Sequence, residues 1–126
     1  MSSDEDIVGR VVFGESRGEP IEGQRAVAYT IVNRTNHPGF PNSVWEVANQ
    51  RTASGGHQYE TLDLDSHNSA WNDHKRGNTQ EYRNAMSASR DALSRRKPDP
   101  TNGATSFNQS PGPNKTRIEN HYFYRY

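Results

Sequence analysis

The apolar positions nearest the N-terminus predict an amphipathic helix that ends before Gly18. Apolar residues at positions i, i+1, i+4 and i+5 form one stripe of a helix, and that stripe faces a core. The residues of this stripe are Ile7, Val8, Val11 and Val12. Ser3, followed by Asp6, resembles a capping box, which would begin the helix just before the stripe.

Two glutamates, Glu15 and Glu19, lie where this helical pattern stops. Glu15 follows Val11 by one turn, so it lies at the edge of the buried stripe in the last turn of the helix. The negative end of the helix dipole and partial burial both disfavour an ionised carboxylate, so we expect a raised pKa for Glu15. A general acid that works near neutral pH requires such a pKa. Glu19 lies beyond the predicted helix end and before Pro20, where we expect less burial.

The patterns farther along the chain predict more helices and a small sheet. A nearly continuous apolar face over residues 22–35 predicts the central core helix. Residues 42–43 are predicted to cap a short helix, and residues 79–95 return to a helical pattern. Residues 105–107 and 121–124 are typical of short strands. The predicted fold class is α+β, with three to four helices and a short β-sheet.

Residues 50–78 are polar and lack a strong periodicity, so we predict a segment that is either functional or poorly ordered. Within it, residues 57–59 fit a short strand or an ordered loop. Trp71, in this polar stretch, is interpreted as an exposed sugar contact. Trp45, in the short helix, is interpreted as a core residue.

The composition is that of a small and very polar domain. Only 29% of the 126 residues are strongly apolar and the mean hydropathy is −1.14, which predicts a small core and one domain over residues 1–126. Two Trp, six Tyr and four Phe are a large aromatic supply for so polar a chain, and such surfaces suit sugar binding. Because the chain has no cysteine, disulfides, thiolate metal sites and a thiol nucleophile are excluded.

Charge and hydropathy limit the partners that we expect. Lys plus Arg and Asp plus Glu each number 15, and this zero net charge disfavours a globally basic nucleic-acid binder. No stretch approaches the length of a membrane span, and the acidic N-terminus lacks the features of a signal peptide. We therefore expect a soluble monomer with no nucleic-acid partner and no membrane partner.

Glu15 alone also fits a solvated side chain at a helix end, but a series of motifs along the chain changes that interpretation. They are VFGESRGEP at residues 12–20 with EGQRAVA at 22–28 and VNR at 32–34, PGFPNSV at 38–44, the pair Gln58-Tyr59, DPTNGATSF at 99–107 and RIENHYFY at 117–124. Together they resemble the SleB-type cell wall hydrolases, which are also called spore cortex-lytic enzymes. The resemblance covers residues 7–125 and keeps the order of the family's motifs.

The resemblance implies cleavage of the glycan strand of peptidoglycan between N-acetylmuramic acid and N-acetylglucosamine. Members of the family are lytic transglycosylases with an α+β fold that is distantly like lysozymes and resuscitation-promoting factors. One glutamate does the acid–base work in them, and its position matches Glu15. No cofactor or metal is implied. Since no signal peptide is visible, we expect the protein to be cytoplasmic until it is released or delivered to the cell wall.

The remaining motif residues are expected to bind the substrate. Glu19 matches a second acidic position that supports the site or contacts the substrate. Gln58 can both donate to and accept from a sugar acetamide, while Tyr59 and Phe107 offer ring faces to pyranose rings. His121 is expected to hold the shape of the cleft or to hydrogen-bond the substrate. Packing in a small core is the alternative role for the aromatic residues.

The chain departs from the family pattern in two places. Glu119 stands where the pattern has a glycine before Asn-His, and residues 50–78 are longer and more polar than the family's middle segment. Both departures bear on the shape of the cleft.

Two functions besides glycan cleavage stay open at this point. A non-catalytic wall-binding or sugar-binding module would keep the fold, although a pure binder has no need of an acid at Glu15. A metal-dependent phosphoesterase or nuclease would use the scattered histidines and aspartates, whose spacing matches no compact metal motif. Those residues are His57, His67, His74 and His121 with Asp63, Asp65 and Asp73.

Overall fold

Five α-helices pack beside a three-stranded antiparallel sheet in the computed structural model, which describes residues 3–125 except the side chain of Glu60. The helices are α1 (Asp4–Ser16), α2 (Ile21–Thr35), α3 (Val44–Ala48), α4 (Asp65–Gly77) and α5 (Gln80–Ser94). A 3₁₀ helix covers Glu60–Asp63, and the strands are β1 (Ser106–Asn108), β2 (Thr116–Ile118) and β3 (His121–Tyr124). The predicted α+β class is confirmed, with five α-helices where three to four were predicted. Within residues 3–125, no helix combines the length and the apolar character needed to cross a membrane.

The core lies between α1, α2 and α5, which pack against one another. Val8, Val11 and Val12, from the stripe predicted for the first helix, are fully buried. The Ser3 hydroxyl accepts a hydrogen bond from the Asp6 N–H at 3.1 Å, which confirms the predicted start of this helix. The observed α2 and α5 also agree with the helices predicted over residues 22–35 and 79–95.

Helix α4 runs through the segment that was predicted to be functional or poorly ordered. Its sequence is polar on nearly every side, so no apolar periodicity signals a helix there. Two rings attach it to the core: the centroid of the Trp71 ring lies 5.4 Å from that of Phe13 and 5.2 Å from that of Tyr82, and the centroid of the His74 ring lies 4.9 Å from that of Phe13. Trp71 is 4% exposed, so its interpretation as an exposed sugar contact is wrong.

Trp45 is the reverse case. Helix α3 has only five residues, and it buries Val44, Val47 and Ala48 against the core. Trp45 lies on the other side of this short helix and is 61% exposed, so its interpretation as a core residue is wrong. The physical reason is that one face of a helix points inward, and its smaller residues already occupy that face here.

The sheet has the strand order β1-β3-β2. Phe107 of β1 lies opposite Phe123 of β3, and Ile118 of β2 lies opposite His121 of β3. Strand β2 was not predicted, because Ile118 is its one buried residue and three residues show too little alternation to signal a strand.

The turn between β2 and β3 places Glu119 at φ +54°, in the left-handed region. A residue with a side chain pays about 1 kcal/mol for this conformation, whereas glycine adopts it without a steric penalty. The glycine of the family pattern therefore suits this position. The hairpin with two turn residues forms despite the departure at Glu119, and we expect the cost in stability to be small.

A network around Asp99 attaches the loop before β1 to α2. Asp99 Oδ2 accepts hydrogen bonds from Asn33 Nδ2 and from the Gly103 N–H, both at 2.9 Å. Asp99 Oδ1 accepts bonds from the N–H and the hydroxyl of Thr101 at 2.8 and 2.7 Å. The Thr101 hydroxyl accepts a further bond from the Ala104 N–H at 3.1 Å, so Thr101 orders this turn.

Gly14 allows the 3₁₀ helix to approach α1 directly before Glu15. A Cβ atom at this position would lie 1.7 Å from Thr61 Oγ1 and 2.5 Å from Thr61 Cβ. Thr61 is itself buried, and its hydroxyl lies 2.6 Å from His67 Nδ1, so it has little freedom to move aside. The position of the 3₁₀ helix against α1 therefore depends on the absence of a side chain at Gly14.

We predict that Gly14→Ala destabilises the protein, although alanine is the better helix former. The added methyl group must displace Thr61, and such overpacking costs about 1–3 kcal/mol against a propensity gain of about 1 kcal/mol. Gly18→Ala is the control, because a Cβ atom at Gly18 meets nothing within 4 Å. Urea unfolding measures both variants. Equal stability of the two would contradict the contact between Gly14 and Thr61.

We also predict that Asp99 makes the fold sensitive to acid. Burial raises the pKa of Asp99, but the hydrogen bonds from Thr101, Asn33 and Gly103 outweigh it, so the pKa lies below the ordinary value of 3.8. A carboxylate whose pKa is lowered by folding stabilises the protein above its unfolded pKa. This contribution disappears as the pH falls from about 4 through the folded-state pKa.

The variant Asp99→Asn should therefore lose about 2 kcal/mol of unfolding free energy at neutral pH, since an amide cannot accept all four hydrogen bonds. It should also lose less stability than the wild type below about pH 4. Urea unfolding over a pH series measures both effects. Asp73→Asn is the control, because Asp73 is 67% exposed and pairs only with Arg76 in the same helix. A pH dependence shared by wild type and Asp99→Asn would overturn the assignment.

Candidate active site

A cleft of about 170 Å³ opens where the end of α1 meets the sheet. Its lining residues are Glu15, Arg34, Gln58, Tyr59, Ser106, Phe107 and Tyr124. Four of the predicted site residues, separated by up to 92 positions in the sequence, thus share one cleft. The other two are Glu19 and His121. The ring of His121 is in edge contact with that of Phe107 at a centroid distance of 5.2 Å, and Glu19 pairs with His121.

Glu15 reaches the cleft from the last turn of α1, as predicted, and its side chain is half-buried. Its charge acts on Tyr59. Burial raises the pKa of the Tyr59 hydroxyl and the Glu15 carboxylate raises it further, while the Arg34 guanidinium lowers it. The carboxyl group of Glu15 therefore lies within electrostatic reach of a buried phenol. The raised pKa predicted for Glu15 itself stays a prediction.

Arg34 is a cleft residue for which the sequence analysis predicted no role. It is only 5% exposed, and its guanidinium donates hydrogen bonds to the Thr105 carbonyl at 2.6 Å, Gln50 Oε1 at 3.1 Å and Ser106 Oγ at 3.3 Å. It also covers the Tyr59 ring at 5.3 Å. These contacts hold the segment before the 3₁₀ helix and the start of β1 together at the cleft.

A signal for Arg34 is present in the sequence. It follows Val27 and Ile31 at spacings of seven and three residues, on the face of α2 that enters the core. An arginine on a buried helical face needs polar partners from other segments, so it marks a polar junction inside the fold. Ser106 and Tyr124, the other lining residues without a predicted role, carry no comparable signal.

Glu19 is held by the turn between β2 and β3. Asn120 Nδ2 donates a hydrogen bond to Glu19 Oε2 at 3.1 Å, and His121 Nδ1 lies 3.3 Å from Glu19 Oε1. The Glu19 side chain is 10% exposed and that of His121 is 12% exposed. The expectation of less burial at Glu19 is therefore wrong, because the hairpin closes over the carboxylate.

Gln58 and Tyr59 are neighbours in sequence with different surroundings. Gln58 is exposed at the rim of the cleft, and its N–H donates a hydrogen bond to the Gln50 carbonyl at 2.7 Å. Tyr59 is 3% exposed, and its hydroxyl lies 3.4 Å from Thr30 Oγ1. This burial favours packing over a sugar-facing ring for Tyr59, while the position of Gln58 suits contact with a ligand. The segment is an ordered loop, with one isolated bridge between Arg51 and His57.

The histidines of the metal-dependent alternative lie apart from one another. His57 Nδ1 lies 2.5 Å from Asp63 Oδ1, whereas His67 contacts Thr61 and His74 contacts Thr79. Within the described part of the chain, no three His, Asp or Glu side chains are grouped as metal ligands. The structure thus supplies no candidate metal centre there for a phosphoesterase or nuclease.

Solved structures with a similar fold come from two bacteria. The catalytic domain of the germination-specific lytic transglycosylase SleB from Bacillus anthracis aligns with a TM-score of 0.70 and 28% identity, over 99% of this chain and 97% of that one. The catalytic domain of the Bacillus cereus SleB protein aligns with a TM-score of 0.69 and 27% identity, over 97% of this chain and 89% of that one.

Curated relatives match a shorter part of the chain. The spore cortex-lytic enzyme of Bacillus subtilis (strain 168) is 54% identical over 43 residues, which are 34% of this chain and 14% of that protein. The spore cortex-lytic enzyme of Halalkalibacterium halodurans is 54% identical over 44 residues, 33% of this chain and 13% of that protein. The match thus spans about one seventh of the length of these relatives.

The family model described as cell wall hydrolase matches residues 18–124. The match begins three residues after Glu15, and it includes the other five predicted site residues. Because it covers most of the sequence, the chain belongs to the cell wall hydrolase family.

Proposed function

We propose that this chain cleaves the glycan strand of peptidoglycan between N-acetylmuramic acid and N-acetylglucosamine as a lytic transglycosylase. Its membership of the cell wall hydrolase family supports the substrate class. Its likeness, over nearly its whole length, to the catalytic domain of a germination-specific lytic transglycosylase supports the type of reaction.

The observation that carries the proposal is that Glu15 is the one acidic residue among those described as lining the cleft. Glycosidases that hydrolyse with two carboxylates place both of them at the scissile bond. Glu19, the second acidic residue of the motif, is engaged by Asn120 and His121 instead. A cleft with one carboxylate suits a reaction in which the substrate supplies its own nucleophile.

In this mechanism Glu15 acts first as acid and then as base. The protonated carboxyl group donates its proton to the glycosidic oxygen while the bond from that oxygen to C1 of muramic acid breaks. The carboxylate then accepts the proton of the muramyl O6 hydroxyl while O6 attacks C1 and closes a 1,6-anhydro ring. The 2-acetamido group of the sugar stabilises the positive charge that develops at C1. Glu15 ends protonated, and no water is consumed.

The other cleft residues would hold the sugar rings. Gln58, exposed at the rim, offers a donor and an acceptor to an acetamido group. Phe107 and Tyr124 are half-buried on neighbouring strands, so each keeps part of its ring accessible to a pyranose face. Glu19 would act through His121, whose ring it holds against Phe107.

We predict that Glu15→Gln lowers peptidoglycan cleavage at least about a thousandfold without loss of the fold, because glutamine cannot donate the proton. The measurement is mass spectrometry of soluble products from purified peptidoglycan, with melting temperature as the check on folding. Glu46→Gln is the control, since Glu46 is exposed on α3. Wild type should release products that are lighter, by one water molecule, than those of hydrolysis.

The other outcomes are distinct. Near-normal cleavage by Glu15→Gln would discard Glu15 as the acid. Hydrated reducing ends would keep Glu15 and make the enzyme a muramidase. Tight glycan binding without products from several wall types would instead favour a non-catalytic sugar-binding module.

We predict a smaller effect for the pair of Glu19 and His121, because it positions the site and does not transfer the proton. Glu19→Gln and His121→Ala should each raise KM for soluble glycan fragments about tenfold and leave more cleavage than Glu15→Gln. The double variant should be no worse than His121→Ala alone, since the two side chains act as a unit. Loss of kcat in Glu19→Gln equal to that in Glu15→Gln would make Glu19 the acid instead.

A further inference from the structure

A second groove, larger than the cleft at Glu15, lies along the N-terminal half of α1. Its volume is about 540 Å³, within the range of ligand pockets, and residues of α3 and α4 form its walls. Leu62, in the 3₁₀ helix, lines this groove, whereas Gln58 and Tyr59, just before that helix, line the cleft. The 3₁₀ helix therefore stands between two separate sites.

Trp45 gives this groove an open aromatic wall. Its side chain is 61% exposed, although an indole usually buries most of its surface. Asn49 Nδ2 donates a hydrogen bond to the Trp45 carbonyl at 2.9 Å, so an amide group is held one turn beyond the ring. Asn72 of α4 also lines the groove. An aromatic face with amides nearby suits a pyranose ring, whose C–H face packs on the indole and whose acetamido and hydroxyl groups bind the amides.

The charges of the groove favour a neutral ligand. Two acidic residues, Asp4 and Asp6, and two basic residues, Arg10 and Lys75, line it. Lys75 Nζ lies 2.8 Å from Asp6 Oδ1, and Arg10 hydrogen-bonds Asn68. Because these charges balance, and the two basic groups already have partners, the groove has no excess field for a polyanion. Polar groups also interrupt the apolar surface of the groove, so an amphipathic helix would bind there poorly.

We propose that this groove is a second glycan-binding site, which holds the N-acetylated glycan of peptidoglycan away from the catalytic cleft. The identity of the glycan rests on the proposed function. Two attachment points on one polymer raise the effective concentration of the strand at the cleft. The groove should therefore matter for the insoluble wall and not for fragments too short to reach both sites.

Direct binding can be measured by NMR, because the chain has two tryptophans and hence two indole N–H signals. The probe is the β-1,4-linked N-acetylglucosamine tetramer, titrated into the full chain carrying Glu15→Gln to prevent turnover. Trp45→Phe assigns the signals. We expect the Trp45 indole signal and the Asn49 side-chain amide signals to shift and saturate. Shifts confined to residues of the cleft, such as Phe107 and Tyr124, would overturn the second site.

Activity gives an independent test that does not depend on the tetramer. Trp45→Ala should lower the rate of solubilisation of intact sacculi about tenfold, while the rate on short soluble glycan fragments changes less than about twofold. Leu64→Ala is the matched control, because Leu64 is 46% exposed and does not line the groove. Equal loss on both substrates, or no difference from Leu64→Ala, would overturn the proposal.

Two further results separate this proposal from its neighbours. If Trp45→Ala abolishes a dimer seen by sedimentation and leaves the binding of sacculi unchanged, the groove is a contact between copies of the chain, and the glycan site is wrong. If Glu15→Gln still cleaves the wall while the Trp45 signal shifts with the tetramer, the proposed role of Glu15 fails and the second site stands.

Discussion

The burial of the Arg34 guanidinium is the constraint on which the cleft depends. A charge taken out of water costs several kcal/mol unless it is hydrogen-bonded on all sides. Arg34 finds its partners in Gln50, in the Thr105 carbonyl and in Ser106, and it lies over the ring of Tyr59. These partners come from segments that are distant in the sequence. If one of these partners moved away, the buried guanidinium would lose a hydrogen bond that water does not replace. Arg34 of helix α2 therefore fixes the loop and the strand that line the cleft with Glu15.

The two glutamates of the motif differ because different elements surround them. Glu15 lies in the last turn of α1 and lines a cleft with aromatic and polar side chains. Glu19 follows the helix, where a hairpin supplies Asn120 and His121 as partners for its carboxylate. In the proposed function, the Glu19 carboxylate held by the hairpin positions the site, whereas the carboxyl group of Glu15, which lines the cleft, transfers the proton. Under that proposal, one residue type thus serves two purposes at positions four residues apart.

Sequence reasoning predicted the helices that show apolar periodicity and the cleft residues that belong to ordered motifs. It failed where the packing of a single side chain determines an element or its exposure. The cores of α1, α2 and α5 repeat apolar residues over several turns, so their helices could be predicted. Helix α4 buries one residue, Trp71. A single apolar position cannot form a periodic pattern, so the sequence did not predict this helix. Trp45 and Trp71 were interpreted the wrong way round, because exposure depends on which face of a helix the rest of the protein covers. Four of the seven residues that line the cleft were predicted through their motifs. Arg34 carries a sequence signal in its place on the buried face of α2, but only its tertiary partners show which segments it joins.

Close backbone approach is what brings both glutamates to their places. Beside Glu15, Gly14 has no side chain, and Thr61 of the 3₁₀ helix fills the space that a Cβ atom would take. Beneath Glu19, a Cβ atom at Gly23 would lie 3.2 Å from Glu19 Cβ, so the start of α2 also approaches closely. A glycine in a helix costs up to about 1 kcal/mol relative to alanine. At Gly14 this cost is offset by the contact with Thr61 that the glycine permits. That contact positions the 3₁₀ helix, which lies between the cleft and the groove. Position 14 thus has a lower helix propensity than alanine would give it, because the close packing beside Glu15 requires glycine there.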